Sequence, residues 1–150
     1  MRRNQQSQSS IQDTVLALSV KTLRRWRQGD PPGPRAHAGA NQDPAALPIC
    51  EHLLLTLFRH RARIDWILSN FCDMKRVRAD VLEVLRIAVC ETAWLRGLPP
   101  ELVTDTCVRY VKRRHTRKEA GFVNAVLRRL IREGPQTHLA AAAEKAPLDV

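Results

Sequence analysis

Residues 81–95, VLEVLRIAVCETAWL, constrain the fold more than any other stretch, because few polar positions interrupt about four turns of prospective helix. A helix that is apolar on most sides needs neighbours on most sides, so this segment predicts the hub of a helical bundle. Asp80 and Glu83 have the spacing of a capping box that would start it. Gly97 supplies a C-terminal stop, and Pro99 or Pro100 suits the first turn of the helix that follows.

The remaining apolar residues repeat at helical spacing around this hub. Ser10 and Asp13 resemble a weak capping box ahead of Ile11, Val15, Leu18 and Thr22, with the pattern running to Trp26 and stopping near Gly29. Cys50, Leu53, Leu54, Leu57 and Phe58 form a second stripe that starts at Pro44 or Pro48 and ends near His60. Ile64, Ile67, Leu68 and Phe71 continue on a short helix past an arginine-rich corner, which Trp66 packs or caps. Leu102, Val103, Thr106, Cys107 and Tyr110 face inward after the prolines. In the last strongly helical segment, Phe122, Val123, Val126, Leu127, Leu130 and Ile131 share one broad face, with Arg128, Arg129 and Arg132 opposite. Asn124 falls on the seam, where its amide can tie the helix to a neighbouring backbone group. Strand alternation, internal repeats and a heptad register are all missing from the sequence. The expectation is an all-α, single-domain bundle of about six to seven helices.

Around the expected domain, residues 10–133, lie three segments of different character. Residues 1–9 are polar and Gln/Ser-rich, with Arg2 and Arg3 as their only charges, and read as a disordered arm. Residues 30–48 carry five of the nine prolines together with Gly33 and Gly39, and read as a surface loop without helix of its own until about Pro44. Residues 134–150 are alanine-rich and read as a short helix, a frayed tail or a linker.

A chain of 150 residues suits one domain that buries about 68–70% of its unfolded surface. Its 25 Lys and Arg against 15 Asp and Glu give a net charge of +10, which calls for a polyanionic partner, nucleic acid ahead of a membrane surface. No apolar run approaches the ~20 residues of a membrane span and no secretory signal opens the chain, so a cytoplasmic location is expected. Cys50, Cys72, Cys90 and Cys107 lack a C-x-x-C pair, and His37, His52, His60, His115 and His138 lack a helical i, i+4 pair. Reduced core cysteines and no metal site follow. Six glycines and no strand-turn-helix unit leave nothing to cradle a cofactor, and no nucleophile sits beside a base, so neither an enzyme nor a small-molecule substrate is expected.

Binding is the remaining role, and the basic residues fall into groups. Lys112, Arg113, Arg114, Arg117 and Lys118, with His115 and Thr116, concentrate five firm positive charges in seven residues at what reads as one loop, suited to a phosphate backbone. Arg128, Arg129 and Arg132 follow on the outer face of the next helix. Lys21, Arg24, Arg25 and Arg27 end the first helix, where positive charge also complements the helix dipole. Arg59, Arg61 and Arg63 flank His60. Solubility explains the last two groups as readily as RNA does.

Residues 121–130, GFVNAVLRRL, resemble the signature of the NusB-like helical domain, found in NusB transcription antitermination factors and at the N-terminus of RsmB-type small-subunit rRNA 5-methylcytosine methyltransferases. Residues 57–68, LFRHRARIDWIL, are similar to the turn into a Leu/Ile-Asp-Trp helix in the methyltransferase branch, and 85–112 resemble the domain's central helix, its Gly/Pro turn and the helix after it. These stretches cover roughly residues 43–133 in the right order. The resemblance marks Gly121, Phe122, Asn124, Leu127 and Asp65 as family motif positions. It implies RNA, ribosomal RNA or its leader, as partner, and a small ribosomal protein as a second one. In the methyltransferase branch the catalytic cysteines and cofactor site lie in a downstream domain that these 150 residues do not include, and 141–150, AAAEKAPLDV, resemble the linker into it. Antitermination NusB proteins resemble one another in an arginine-rich run at the start of the first helix; the corresponding residues 12–18 hold no basic residue here. Few aromatics are available for stacking, so recognition is expected to rest on charge and shape. Three readings stand: an RNA-binding module in rRNA synthesis or maturation, the targeting domain of an rRNA methyltransferase, and a protein-interaction module.

Overall fold

The computed structural model describes residues 2–30, 33–39 and 43–146. Among them are seven helices of two turns or more, one single-turn helix and no strand. They are α1 (Arg2–Arg27), α2 (Pro34–His37), α3 (Ala46–Arg59), α4 (Arg61–Ser69), α5 (Ala79–Val89), α6 (Pro100–Arg114), α7 (Arg117–Glu133) and α8 (Pro135–Lys145). A 3-10 turn, Met74–Arg76, precedes α5, and a π-helix, Cys90–Leu95, continues it.

The expected hub is there. Every residue from 81 to 93 is buried, and α5 packs against α1, α3, α4, α6 and α7. Burial this complete leaves the few polar residues of α5 dependent on partners from other helices. Arg86 donates through Nε to Asp65 Oδ1 of α4 at 2.7 Å, through Nη2 to Asp65 Oδ2 at 3.2 Å, and through Nη1 to Glu83 Oε1 at 3.1 Å. Asp80 takes Arg24 at 2.8 Å and Arg27 at 2.7 Å from α1. A further ion pair, Arg109 to Asp13 at 2.7 Å, ties α6 to α1.

These pairs correct the expected capping box at Asp80 and Glu83. Arg78 is the N-cap of α5 and provides no side-chain cap; Asp80 turns to the arginines of α1 and Glu83 to Arg86 one turn on, because a carboxylate on a buried helix is better satisfied by a cation than by a backbone N–H. Ser10 is likewise no N-cap. Helix α1 begins at Arg2, so the arm is helical over 2–9, a segment that holds neither Gly nor Pro. In the proline-rich stretch, Pro34 at the first position starts the turn of α2. Lys21 Nζ donates to the His37 carbonyl at 2.8 Å, and Arg35 pairs with Glu51 at 2.8 Å, tying that turn to α1 and α3. The tail forms α8, which packs on α4 with Ala142 buried and Gln136 donating to the Ala93 carbonyl at 2.9 Å. Met1, 31–32, 40–42 and 147–150 lie outside the described residues.

At the end of the π-helix, Arg96 and not Gly97 takes the left-handed conformation, with φ 56°, and its N–H reaches the Glu91 carbonyl at 2.9 Å. Trp66 packs against the core from a half-buried position, while the corner between α3 and α4 is covered by Trp94, whose ring stacks on His60 at 5.1 Å. Phe58 is 63% exposed, outside the inward stripe expected for it, and meets Trp26 edge to face at 5.9 Å. Cys50, Cys90 and Cys107 are buried free thiols and Cys72 is half-buried.

Replacing Arg86 by Met keeps the side-chain volume but strips Glu83 and Asp65 of their cation. The expected loss is about 3–5 kcal/mol of unfolding free energy, read by urea denaturation. A loss below about 1 kcal/mol would mean that the three-residue network is incidental.

A candidate nucleic-acid interface

The residues expected to form one basic loop form a helical corner instead. Lys112, Arg113 and Arg114 are the last turn of α6, His115 and Thr116 connect, and Arg117 and Lys118 open α7. The geometry is set by Thr116, whose hydroxyl accepts from the Glu119 backbone N–H at 3.1 Å while the Glu119 carboxylate accepts from the Thr116 N–H at 3.3 Å. This is a reciprocal capping box, and the T-x-x-E spacing of Thr116 and Glu119 that announces it stands in the sequence. Arg78 clamps the same carboxylate at 2.9 Å and, with the Thr116 hydrogen bonds, holds Glu119 below its ordinary pKa.

With α7 fixed in this way, Lys112, Arg113, Arg114, Arg117 and Lys118 are all exposed. Lys112, Arg113, Arg117 and Lys118 make no side-chain hydrogen bond or ion pair with another described residue. Arg114 lies over the Tyr110 ring at 4.6 Å. Burial pushes the Tyr110 hydroxyl up, against the charges of both Arg114 and Arg24, so the end of α1 lies within electrostatic reach of the corner.

Other expected contact residues are already engaged within the fold. Arg24 and Arg27 are taken up by Asp80, and Lys21 by the His37 carbonyl; within that group Arg25 is exposed without an ion pair among the described residues. Arg129 pairs with Glu133 at 2.6 Å and lies 4.8 Å from the centre of the Phe71 ring. Arg128 donates to Asn124 Oδ1 at 3.0 Å, so the Asn124 amide holds an arginine on its own helix and not a neighbouring backbone. Arg132 is exposed. Arg59 is exposed and Arg61 and Arg63 are half-buried at the α3–α4 corner. Of the family motif positions, Leu127 is core and Asp65 is the partner of Arg86.

Beside the basic corner opens a cleft of about 550 Å³. Phe71 and Phe122 give it aromatic walls, and Arg76, Arg78 and Lys118 bring cations to it. Phe122 is half-buried there, which the inward-facing reading of that residue missed. Gly121 is exposed on the preceding position, and a Cβ built on it would meet nothing within 4 Å. Neither φ nor packing among the described residues calls for glycine at this point, so the methyl group of an alanine would meet nothing inside the fold and would be felt by what approaches from outside.

Set against known proteins, residues 14–132 match the model of the NusB family. The chain is 29% identical over 103 residues to the transcription antitermination protein NusB of Thermobifida fusca, covering 67% of this chain and 72% of that protein. It is 29% identical over 114 residues to the protein of the same name from Acidothermus cellulolyticus, covering 74% and 79%. Its fold is similar to that of T. maritima NusB, with a TM-score of 0.70 at 18% identity, over 89% of this chain and 96% of that one.

The α1 arginines that Asp80 holds create a testable acid sensitivity. Burial would raise the Asp80 pKa, but hydrogen bonds and charge from Arg24 and Arg27 outweigh it and hold the group below its ordinary 3.8. A carboxylate lowered in this way adds stability above about pH 3.8 that is lost as pH falls through the depressed value. Asp80→Asn therefore lowers stability at pH 7 and flattens the acid limb below pH 4 in denaturation curves. An unchanged acid limb would contradict the pairing.

Proposed function

The chain belongs to the NusB family, and from that premise we propose that it is a non-catalytic RNA-binding protein of transcription antitermination, acting on ribosomal RNA or its leader. The observation that carries the reading is the α6–α7 corner, where five exposed cations sit on two rigid helix ends beside a cleft with two aromatic walls. Phosphates fit the corner, since Lys and Arg there lack carboxylate partners and neutralise a backbone by counterion release. An unpaired base fits the cleft, stacking on Phe71 or Phe122. The relatives are named as transcription antitermination proteins, which supports a binding role over a catalytic one.

The middle of α1 contributes little to such a surface. Gln12, Val15, Leu16 and Leu18 are buried and Asp13 is paired with Arg109, so the segment that lacks the arginine run also points its side chains largely into the fold. Recognition then shifts toward the corner and α7. A small ribosomal protein is the second partner we assign, on the family resemblance.

Neutralising Arg113, Arg114, Arg117 and Lys118 together is expected to weaken binding of a single-stranded rRNA leader fragment. It should reduce the slope of log affinity against log salt by about 3, measured by fluorescence anisotropy over a salt series. An unchanged slope would place the phosphates elsewhere. A gentler probe is Gly121→Ala: relief of the helix-interior glycine should stabilise the fold by up to about 1 kcal/mol while the added methyl weakens RNA binding. If the variant binds as well as the parent, the α7 surface is not the contact.

A further inference from the structure

Where α1, α3 and the π-helix meet, a cavity of about 320 Å³ opens to solvent, away from the residues of the basic corner. Glu91 contributes a carboxyl to it, and Ile49, Leu53 and Leu98 supply apolar wall, with Gln12 and His52 as its other polar side chains. Glu91 is only 8% exposed, and its side chain makes no hydrogen bond or ion pair with any described residue. No described protein group answers this carboxyl, whose oxygens reach the solvent of the cavity, so a ligand entering there meets an acceptor that is not already engaged. Its position comes from the π-helix, whose closing bond runs from the Arg96 N–H to the Glu91 carbonyl at 2.9 Å, and such insertions are frequent at functional positions.

The chemistry of the cavity selects its occupant. An anionic acceptor repels phosphate, so the backbone of RNA is not its occupant. A bare metal ion has a single carboxylate to bind, and among the described residues no group of three or more His, Cys, Asp and Glu is placed to hold one. A chain of methylenes ending in a cation matches apolar walls and an acidic head, the same division of labour that lysine and arginine side chains show at protein surfaces.

We propose that this cavity receives the tip of an alkylammonium or alkylguanidinium group, its charge on the Glu91 carboxylate and its stem along Ile49, Leu53 and Leu98. The group can come from a lysine or arginine side chain of a protein partner or from a free polyamine. Burial pushes Glu91 up to about 7, so a cation in the cavity lowers that value and binds more tightly as pH rises toward 8. The other titratable groups around it are His52 from α3, Cys90 on its own helix and Cys107 from α6. The two thiols are raised by burial and by the Glu91 charge, and stay protonated throughout this range.

The test follows the Glu91 carboxyl carbon by NMR through a pH titration of the intact protein. Three probes are added: N-acetyl-lysine methylamide, N-acetyl-arginine methylamide and spermidine, with tetramethylammonium at equal ionic strength as the control. A binding probe lowers the Glu91 midpoint by about one pH unit, equivalent to about tenfold preference for the ionised form. It also raises Tm more at pH 8 than at pH 6. A response to the amino-acid probes alone identifies a partner's side chain, and a response to spermidine alone a free polyamine; either supports the site. Leu98→Trp, which fills the cavity and leaves Glu91 in place, should abolish the response. The proposal is overturned if no probe moves the midpoint beyond the control, as water filling alone would give, or if the shift survives in Leu98→Trp.

Discussion

Arg86 is the point on which the bundle depends. It is a guanidinium on a helix buried on every side, and it stands only because Asp65 from α4 grips it bidentately and Glu83 from one turn earlier takes a third hydrogen bond. In the low-dielectric interior each member of this trio is costly alone, and the set is tolerable because it is nearly complete. One Glu83 oxygen, Oε2, remains without a partner. The trio fixes how α4 crosses α5, and Asp80 at the start of the same helix fixes α1 through Arg24 and Arg27. Apolar burial drives the collapse, whereas these directional bonds select one register among the helices.

Pairing with carboxylates also divides the positive charges. Arg24, Arg27, Arg78, Arg86, Arg109 and Arg129 answer carboxylates within the fold, so they contribute little free field at the surface. The cations at the α6–α7 corner have no such duty. Five exposed cations thus stand together where two helix ends meet beside a cleft, an arrangement that would offer a polyanion pre-placed donors at small ordering cost. The Thr116–Glu119 capping box belongs to this arrangement, since it holds the first turn of α7 and so the direction in which Arg117 and Lys118 project.

Most of the fold could be read from residue spacing because burial leaves a periodic trace. The hub over 81–95, the inward stripes of α6 and α7 and the proline start of α6 all follow from patterns within one helix. What spacing could not reveal were choices settled between helices. Asp80 and Glu83 have the spacing of a cap, but their partners lie on α1 and within α5, and no local rule sees an arginine 56 residues away. Phe58 continues a stripe in sequence yet lies past the edge of the core. Arg96 adopts a left-handed conformation beside an available glycine because the π-helix shifts the register by one residue. At the basic corner, composition located the charge, while its separation into engaged and unengaged arginines, and the cleft beside Phe122, emerged only from the packing.

The most direct test of this account is an NMR map of arginine Nε–H and backbone amide shifts on adding a single-stranded rRNA leader fragment at near-physiological salt. The account predicts perturbations at 112–118, Gly121, Phe122 and Arg132, with the Arg86 signal unmoved because its donors are committed to Asp65 and Glu83. Perturbations centred on the α3–α4 corner at Arg59, Arg61 and Arg63, with the α6–α7 corner silent, would contradict it.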